Sequence, residues 1–272
     1  IWKGLVGSEM CIRDRILGIF AGLISGFFGI GSGVILVPAY FFLFNYLNFP
    51  EEIIPLLATG TSMTTMVLVI PNAAYTHYLN SNVDLNIVKK MLLFAFVFTI
   101  FARYLALNME SLTLQLIIAV SLILAAFQVA VDIKPKEIKP KINNLELALA
   151  SCGIGLVTSL VGIGGGILMV PYFTFRGLSI REAIGTSSVM GLVIATSGAI
   201  GAYVFAPTEA ENINWMAGST YIPAAVIVGL SSIWFAKIGA NISNNTSSEK
   251  LKLAFAIVVI ISAIRIIYDS FI

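Results

Sequence analysis

The sequence predicts an all-α integral membrane protein made of two homologous four-segment repeats, inverted relative to each other, with the first segment of each broken at a glycine-rich motif. Three observations carry this expectation: the composition, an internal duplication and the distribution of basic residues. Of 272 residues, 58% are hydrophobic and only 30 are charged, 16 Lys plus Arg and 14 Asp plus Glu, less than half the charged share of an ordinary soluble domain. Eight membrane helices of about 20 apolar residues need roughly 160 such positions, and 58% of 272 is about 158. Spans therefore absorb nearly all the apolar content, which predicts a multi-pass protein of the cell (inner) membrane. A net charge of +2, with no basic cluster interleaved with aromatics, excludes nucleic acid as a partner. Two cysteines, Cys11 and Cys152, and one histidine supply neither a disulfide framework nor a soft-metal site. No metal and no cofactor are expected, and the lipid bilayer is the first partner.

Residues 1–15 fall outside the pattern that follows and resemble a translated adapter fragment, so they are read as a non-native leader without chemistry. Apolar runs of helix length then occur at 16–44, 53–75, 87–107 and 112–131, and again at 145–175, 180–205, 215–238 and 251–267. A linker at 132–144 carries Lys134, Pro135, Lys136, Lys139, Pro140 and Lys141. It separates a first membrane repeat, 16–131, from a second, 145–272, the two expected to form one transport domain.

The halves are copies. Residues 22–38, GLISGFFGIGSGVILVP, align without gaps on 155–171, GLVTSLVGIGGGILMVP, with eight of seventeen positions identical. Further on, Gly60-Thr61-Ser62 matches Gly185-Thr186-Ser187. The doubled Gly-Ile-Gly-x-Gly-x-x-x-Val-Pro signature, followed by Gly-Thr-Ser in the next helix of each half, resembles the sulfite exporter TauE/SafE family of membrane permeases, from about Leu17 to the C-terminus. The resemblance implies two repeats of four membrane segments and transport, as export, of small anions such as sulfite, sulfoacetate or related organic sulfonates and carboxylates. Two departures stand out: Ser32 occupies the place of Gly165, and Gly239-Ala240 has no glycine counterpart at Phe101-Ala102-Arg103.

The first run of each half is too long for a plain span. Residues 16–44 would make a helix of roughly 44 Å against a hydrocarbon core of about 30 Å. Interrupted at the glycines, 16–28 and 34–44 make pieces of roughly 20 and 16 Å, enough to reach the midplane and return. Basic residues test this reading. With eight full crossings, Lys and Arg beyond the leader divide seven to six between the faces. With two hairpins and six crossings, one face collects Lys89, Lys90, Lys134, Lys136, Lys139, Lys141, Arg176, Arg181, Lys237, Lys250 and Lys252, and the other keeps Arg103 and Arg265. Eleven to two is a strong positive-inside pattern, which predicts inverted repeats, a cytoplasmic linker and both termini outside.

Backbone polar groups at midplane are tolerable only where they are buried in protein or line a cavity. The segments Gly29, Gly31, Ser32, Gly33 and Gly162, Gly164, Gly165, Gly166 would leave free N–H groups at the positive end of the following half-helix. That geometry suits an anion, and hydroxyls of Thr61, Ser62, Thr186 and Ser187, with Thr64, Thr65 and Ser188 nearby, can donate to its oxygens. The bland readings are close helix packing for the glycines and bonds to a carbonyl one turn back for the hydroxyls. Pro38 and Pro171 fall at the fifth helical position if the half-helices start at Val34 and Ile167, and nearer the start if they begin later.

No Asp or Glu sits deep inside a predicted span, which leaves a carboxylate proton relay unsupported. His77 reads as an interfacial residue. Export driven by a potential negative inside would gain roughly 2.3 kcal/mol per 100 mV for a monoanion. A serine hydrolase pairing Ser32 with His77 fails, because the second copy lacks the serine and no residue orients the histidine. A phosphate-binding loop fails because its terminal Gly-Lys-Ser/Thr is missing. The remaining alternative is a cation or neutral-solute permease or channel, since carbonyls at broken helices also coordinate cations.

Overall fold

The computed structural model describes residues 33–130, 143–210, 213–244 and 248–271. The leader, the first glycine segment up to Ser32 and nearly all of the basic linker lie outside the described residues. The chain forms α1 (Gly33–Tyr46), α2 (Ile54–Leu79), α3 (Leu85–Leu107), α4 (Ser111–Ala130), α5 (Asn144–Val161), α6 (Gly166–Phe175), α7 (Ile180–Val204), α8 (Ile222–Asn244) and α9 (Ser248–Phe271). Five stretches, Ile54–Leu79, Leu85–Leu107, Ser111–Gln128, Asn144–Val161 and Ile180–Val204, are long and apolar enough to cross a membrane.

Helix starts follow from local chemistry. Pro55 stands in the first turn of α2, where a missing N–H costs nothing. Asp84 caps α3 by accepting from the amides of Asn86 and Ile87, and Ser179 with Glu182 forms a capping box at α7.

Small residues set the helix spacing, as expected where lipid removes the hydrophobic drive for association and close contact must hold helices together. Ser151 Oγ donates to Met91 O at 2.7 Å and Ser159 Oγ to Thr99 O at 2.9 Å. Gly155 lies between them, so close that a Cβ would stand 3.1 Å from Ala95 O. Because numbers rise together along this seam, α5 and α3 run parallel. Between α2 and α7 they run in opposite senses: Gly185 meets Asn82 and Gly198 meets Met63. The second helices of the two halves are therefore antiparallel neighbours. The same reasoning makes α3 parallel to α7, through Asp84 with Thr186 and Arg103 with Gly201. It makes α8 parallel to α2, through Tyr221 with Thr61 and Gly229 with Leu68. The last helices of the halves, α4 and α9, pack on each other.

The end of α2 and the starts of α3 and α7 thus share one end of the bundle, which carries Lys89, Lys90, Arg176 and Arg181. At the opposite end a cavity of about 520 Å³ is lined by Glu52, Glu110 and Glu209. The chain runs along α5 away from the basic end and turns between Val161 and Gly166. It then comes back along α6 until Arg176 pairs with Glu146 in the first turn of α5. Tyr172 Oη donates to the same carboxylate at 3.1 Å.

One expectation needs correction. The apolar run 215–238 is not helical from its start: Met216–Ala217 and Thr220–Tyr221 form a two-stranded antiparallel hairpin, and the helix begins at Ile222. Its two-residue turn has Gly218 at φ +63°, the geometry that matches the strands' twist and that glycine enters freely. Ser219, Thr220 and Tyr221 are buried, so the hairpin folds into the bundle.

Candidate functional site

The turn between α5 and α6 is built from glycine because the backbone demands it. Gly162, Gly164 and Gly165 have φ of +77°, +70° and +84°, the left-handed region that residues with a Cβ avoid. Gly165 is the N-cap of α6 and makes no side-chain cap bond. Ser62 Oγ of α2 donates to Gly162 O at 2.8 Å. A Cβ on Gly33, in α1, would come within 2.6 Å of Ile163 Cα and 2.8 Å of Gly162 O. Three residues expected at the site, Gly33, Ser62 and Gly162, thus meet. Gly29, Gly31 and Ser32 lie outside the described residues.

Pro171 is the sixth residue of α6, past the first turn, and its missing N–H leaves the carbonyl four residues back without its helical donor. That carbonyl belongs to Ile167, and Gln128 Nε2 of α4 donates to it at 2.7 Å. The side chain that supplies the missing donor to α6 comes from the other half of the sequence.

Thr61 and Thr186 do not face the glycines. Thr61 Oγ1 accepts from the Tyr221 amide at 3.0 Å, and Thr186 Oγ1 accepts from the Asp84 amide at 3.0 Å. Each hydroxyl thus holds the entry to the third helix of the opposite half. The preceding glycines match: a Cβ on Gly60 would stand 2.3 Å from Ser219 O, and one on Gly185 2.1 Å from Asn82 O. Ser187 and Ser188 donate to Ile184 O in their own helix, and Thr64 and Thr65 likewise donate to Gly60 O and Thr61 O. Thr64 also lies 3.1 Å from Thr220 Oγ1, and Thr65 2.6 Å from Tyr40 Oη.

Arg103, which the distribution of charge puts with Arg265 on the sparsely charged face, lies inside the bundle. It is fully buried. Its Nη1 donates to Thr59 Oγ1 at 2.7 Å, and Nη2 donates to Ser219 Oγ at 2.8 Å and Leu56 O at 3.1 Å. The available signal was positional: Arg103 stands four residues inside α3, where an arginine facing lipid would be costly.

A bundle whose described residues include five helices long and apolar enough to cross a membrane is the architecture of a multi-pass membrane protein. The match to the family model for the sulfite exporter TauE/SafE covers residues 16–266, and the chain belongs to that family. It is 28% identical, over 92% of its length and 95% of the relative's, to a "probable membrane transporter protein" of Haemophilus influenzae. It is 27% identical, over 88% of each chain, to one of Methanocaldococcus jannaschii, and 22% identical, over 94% and 96%, to one of Bacillus subtilis. No solved structure matches it. The protein is a multi-pass membrane transporter and not an enzyme.

Proposed function

We propose that the chain exports a small anion, such as sulfite, sulfoacetate or a related sulfonate or carboxylate, held where the glycine-rich turns of two inverted repeats meet. The observation that carries this reading is the junction of Gly33, Ser62 and Gly162 at the turn that starts α6. A helix N-terminus presents amides without intrahelical acceptors and a partial positive charge. On this reading Gly164, Gly165 and Gly166 supply the anion's donors, and Gly29, Gly31 and Ser32 supply their counterparts in the first repeat. Thr61, Thr186 and Ser187 take a supporting place around the site.

Two sets of contacts support the inverted arrangement. The second helices of the halves are antiparallel, and Gly60-Thr61 and Gly185-Thr186 make the same bonds in opposite halves. The basic end of the bundle, with the linker 132–144, then faces the cytoplasm, and the cavity rimmed by Glu52, Glu110 and Glu209 faces outward. Carboxylates at an outer mouth lower the local anion concentration and so disfavour re-entry.

The test is efflux from proteoliposomes loaded with sulfite, sulfoacetate, sulfate or a neutral control, with and without an imposed potential. Selective efflux of one of the anions, accelerated by a potential negative inside, is expected. Efflux of the neutral control at the same rate, or of a cation instead, would replace the anion reading with that of a general permease.

A further inference from the structure

Resting on the reading that the cargo is a small anion, we infer that Arg103, with Thr99, forms an occluded oxyanion site on the outer side of the glycine turn and supplies the charge that selects the substrate. Arg103 is fully buried among α2, α3, α7 and the 216–221 hairpin, and its hydrogen-bond partners are all neutral. Among the described residues no carboxylate pairs with it. A guanidinium has five N–H donors, and here Nε finds no acceptor. One turn earlier on the same helix face, the buried Thr99 Oγ1 is also without a partner. Of the three buried side-chain polar atoms left unbonded among the described residues, two therefore lie within one turn of α3. Nε can only donate and the hydroxyl can donate as well, so one acceptor group would serve both.

The surroundings tolerate the positive charge without neutralising it. Arg103 lies in the C-terminal part of α3 and against Gly201, near the C-terminus of α7, where a Cβ would stand 2.8 Å from its Cγ. The negative ends of both helices lie on the side of its aliphatic stem, while the guanidinium itself reaches Leu56 O and Thr59 Oγ1 in the first turns of α2. A buried charge held only by dipoles and hydroxyls is costly until an opposite charge arrives, and a small oxyanion brings both that charge and several acceptors. The site is continuous with the glycine turn: Thr59, which takes the Nη1 bond, lies so close to Gly162 that a Cβ there would be 2.9 Å from Thr59 Cα.

The experiment uses the full-length protein in proteoliposomes, comparing wild type with Arg103→Lys, Arg103→Gln and Thr99→Val. It reads the half-saturating sulfite concentration from charge-movement currents and records thermal stability in detergent alongside. Thr99→Val keeps the charge and volume and removes an unbonded hydroxyl, so a purely structural role predicts equal or higher stability with unchanged half-saturation. The inference instead predicts at least about a tenfold rise in half-saturation, about 1.4 kcal/mol, without loss of stability. Arg103→Lys should raise it further, and Arg103→Gln should abolish the sulfite response. Folded Thr99→Val and Arg103→Lys proteins with wild-type half-saturation would overturn the site and leave Arg103 as a clamp on the hairpin. If Arg103→Gln does not fold, the first two variants decide. A wild-type protein that responds to no anion among sulfite, sulfate and sulfoacetate refutes the underlying anion reading, which is a different outcome from an anion transporter indifferent to these substitutions.

Discussion

Replacing Gln128 by leucine should destabilise the protein through a carbonyl 39 residues away in sequence, and Pro171 should be the reason. Pro171 cannot donate to Ile167 O, which lies in a helix start whose Ile167 side chain is itself 2% exposed. Gln128 Nε2, at 2.7 Å, supplies the donor. Leaving such an acceptor unpaired costs about 1–3 kcal/mol in soluble proteins, whereas side-chain hydrogen bonds in a membrane bundle average about 0.6 kcal/mol. Gln128→Leu is expected between these bounds. In Pro171→Ala the residue regains an N–H aimed at Ile167 O, so the helix repairs itself and Gln128 becomes redundant. Gln128→Leu should then cost less than about 0.5 kcal/mol, within the additivity error of independent sites. A double-mutant cycle read by thermal unfolding in detergent measures the coupling. Equal losses from Gln128→Leu in the two backgrounds would refute the claim that proline and glutamine form one unit.

Other outcomes follow from the same contacts. Gly60→Ala and Gly185→Ala each push a Cβ into a carbonyl of the opposite half. Each should lower stability by about 1–3 kcal/mol, the usual range for overpacking, and a change near zero in the thermal unfolding of either would mean that the locks are not tight. Single cysteines at Asn82 and Thr208, placed in a cysteine-free background, should react with an impermeant thiol reagent from opposite sides of the membrane. Labelling from the same side would exclude inversion.

Much of the helical framework was legible because membrane burial imposes long apolar runs, and termini such as Asp84 and Ser179 only adjust them by a few residues. The hairpin at 216–221 was not, since Trp215, Met216, Ala217, Tyr221 and Ile222 continue an apolar run that periodicity assigns to a helix. Gly218-Ser219 followed by Thr220-Tyr221 was the signal for a two-residue turn. The glycines' meeting point could be anticipated from duplication, yet the roles of Thr61 and Thr186 could not. Sequence favours such hydroxyls as donors to a ligand or to their own helix, whereas both act as acceptors across the halves. The full burial of Arg103 is not legible in the sequence, because distance along the chain from a helix end does not measure depth. The hairpin that covers it is formed by residues more than 110 positions away.

The central claim is that an anion is held at the glycine turn, and Gly164→Ala tests it most directly. Gly164 has φ +70°, and a Cβ would stand 2.7 Å from Met66 Sδ, so the substitution distorts the turn while leaving Ser62, the helix seams and Arg103 in place. Charge movement on sulfite addition, recorded on a solid-supported membrane, should be saturable in the wild-type protein and lost in a Gly164→Ala protein that remains monodisperse. A wild-type current with unchanged half-saturation in that variant would contradict the account.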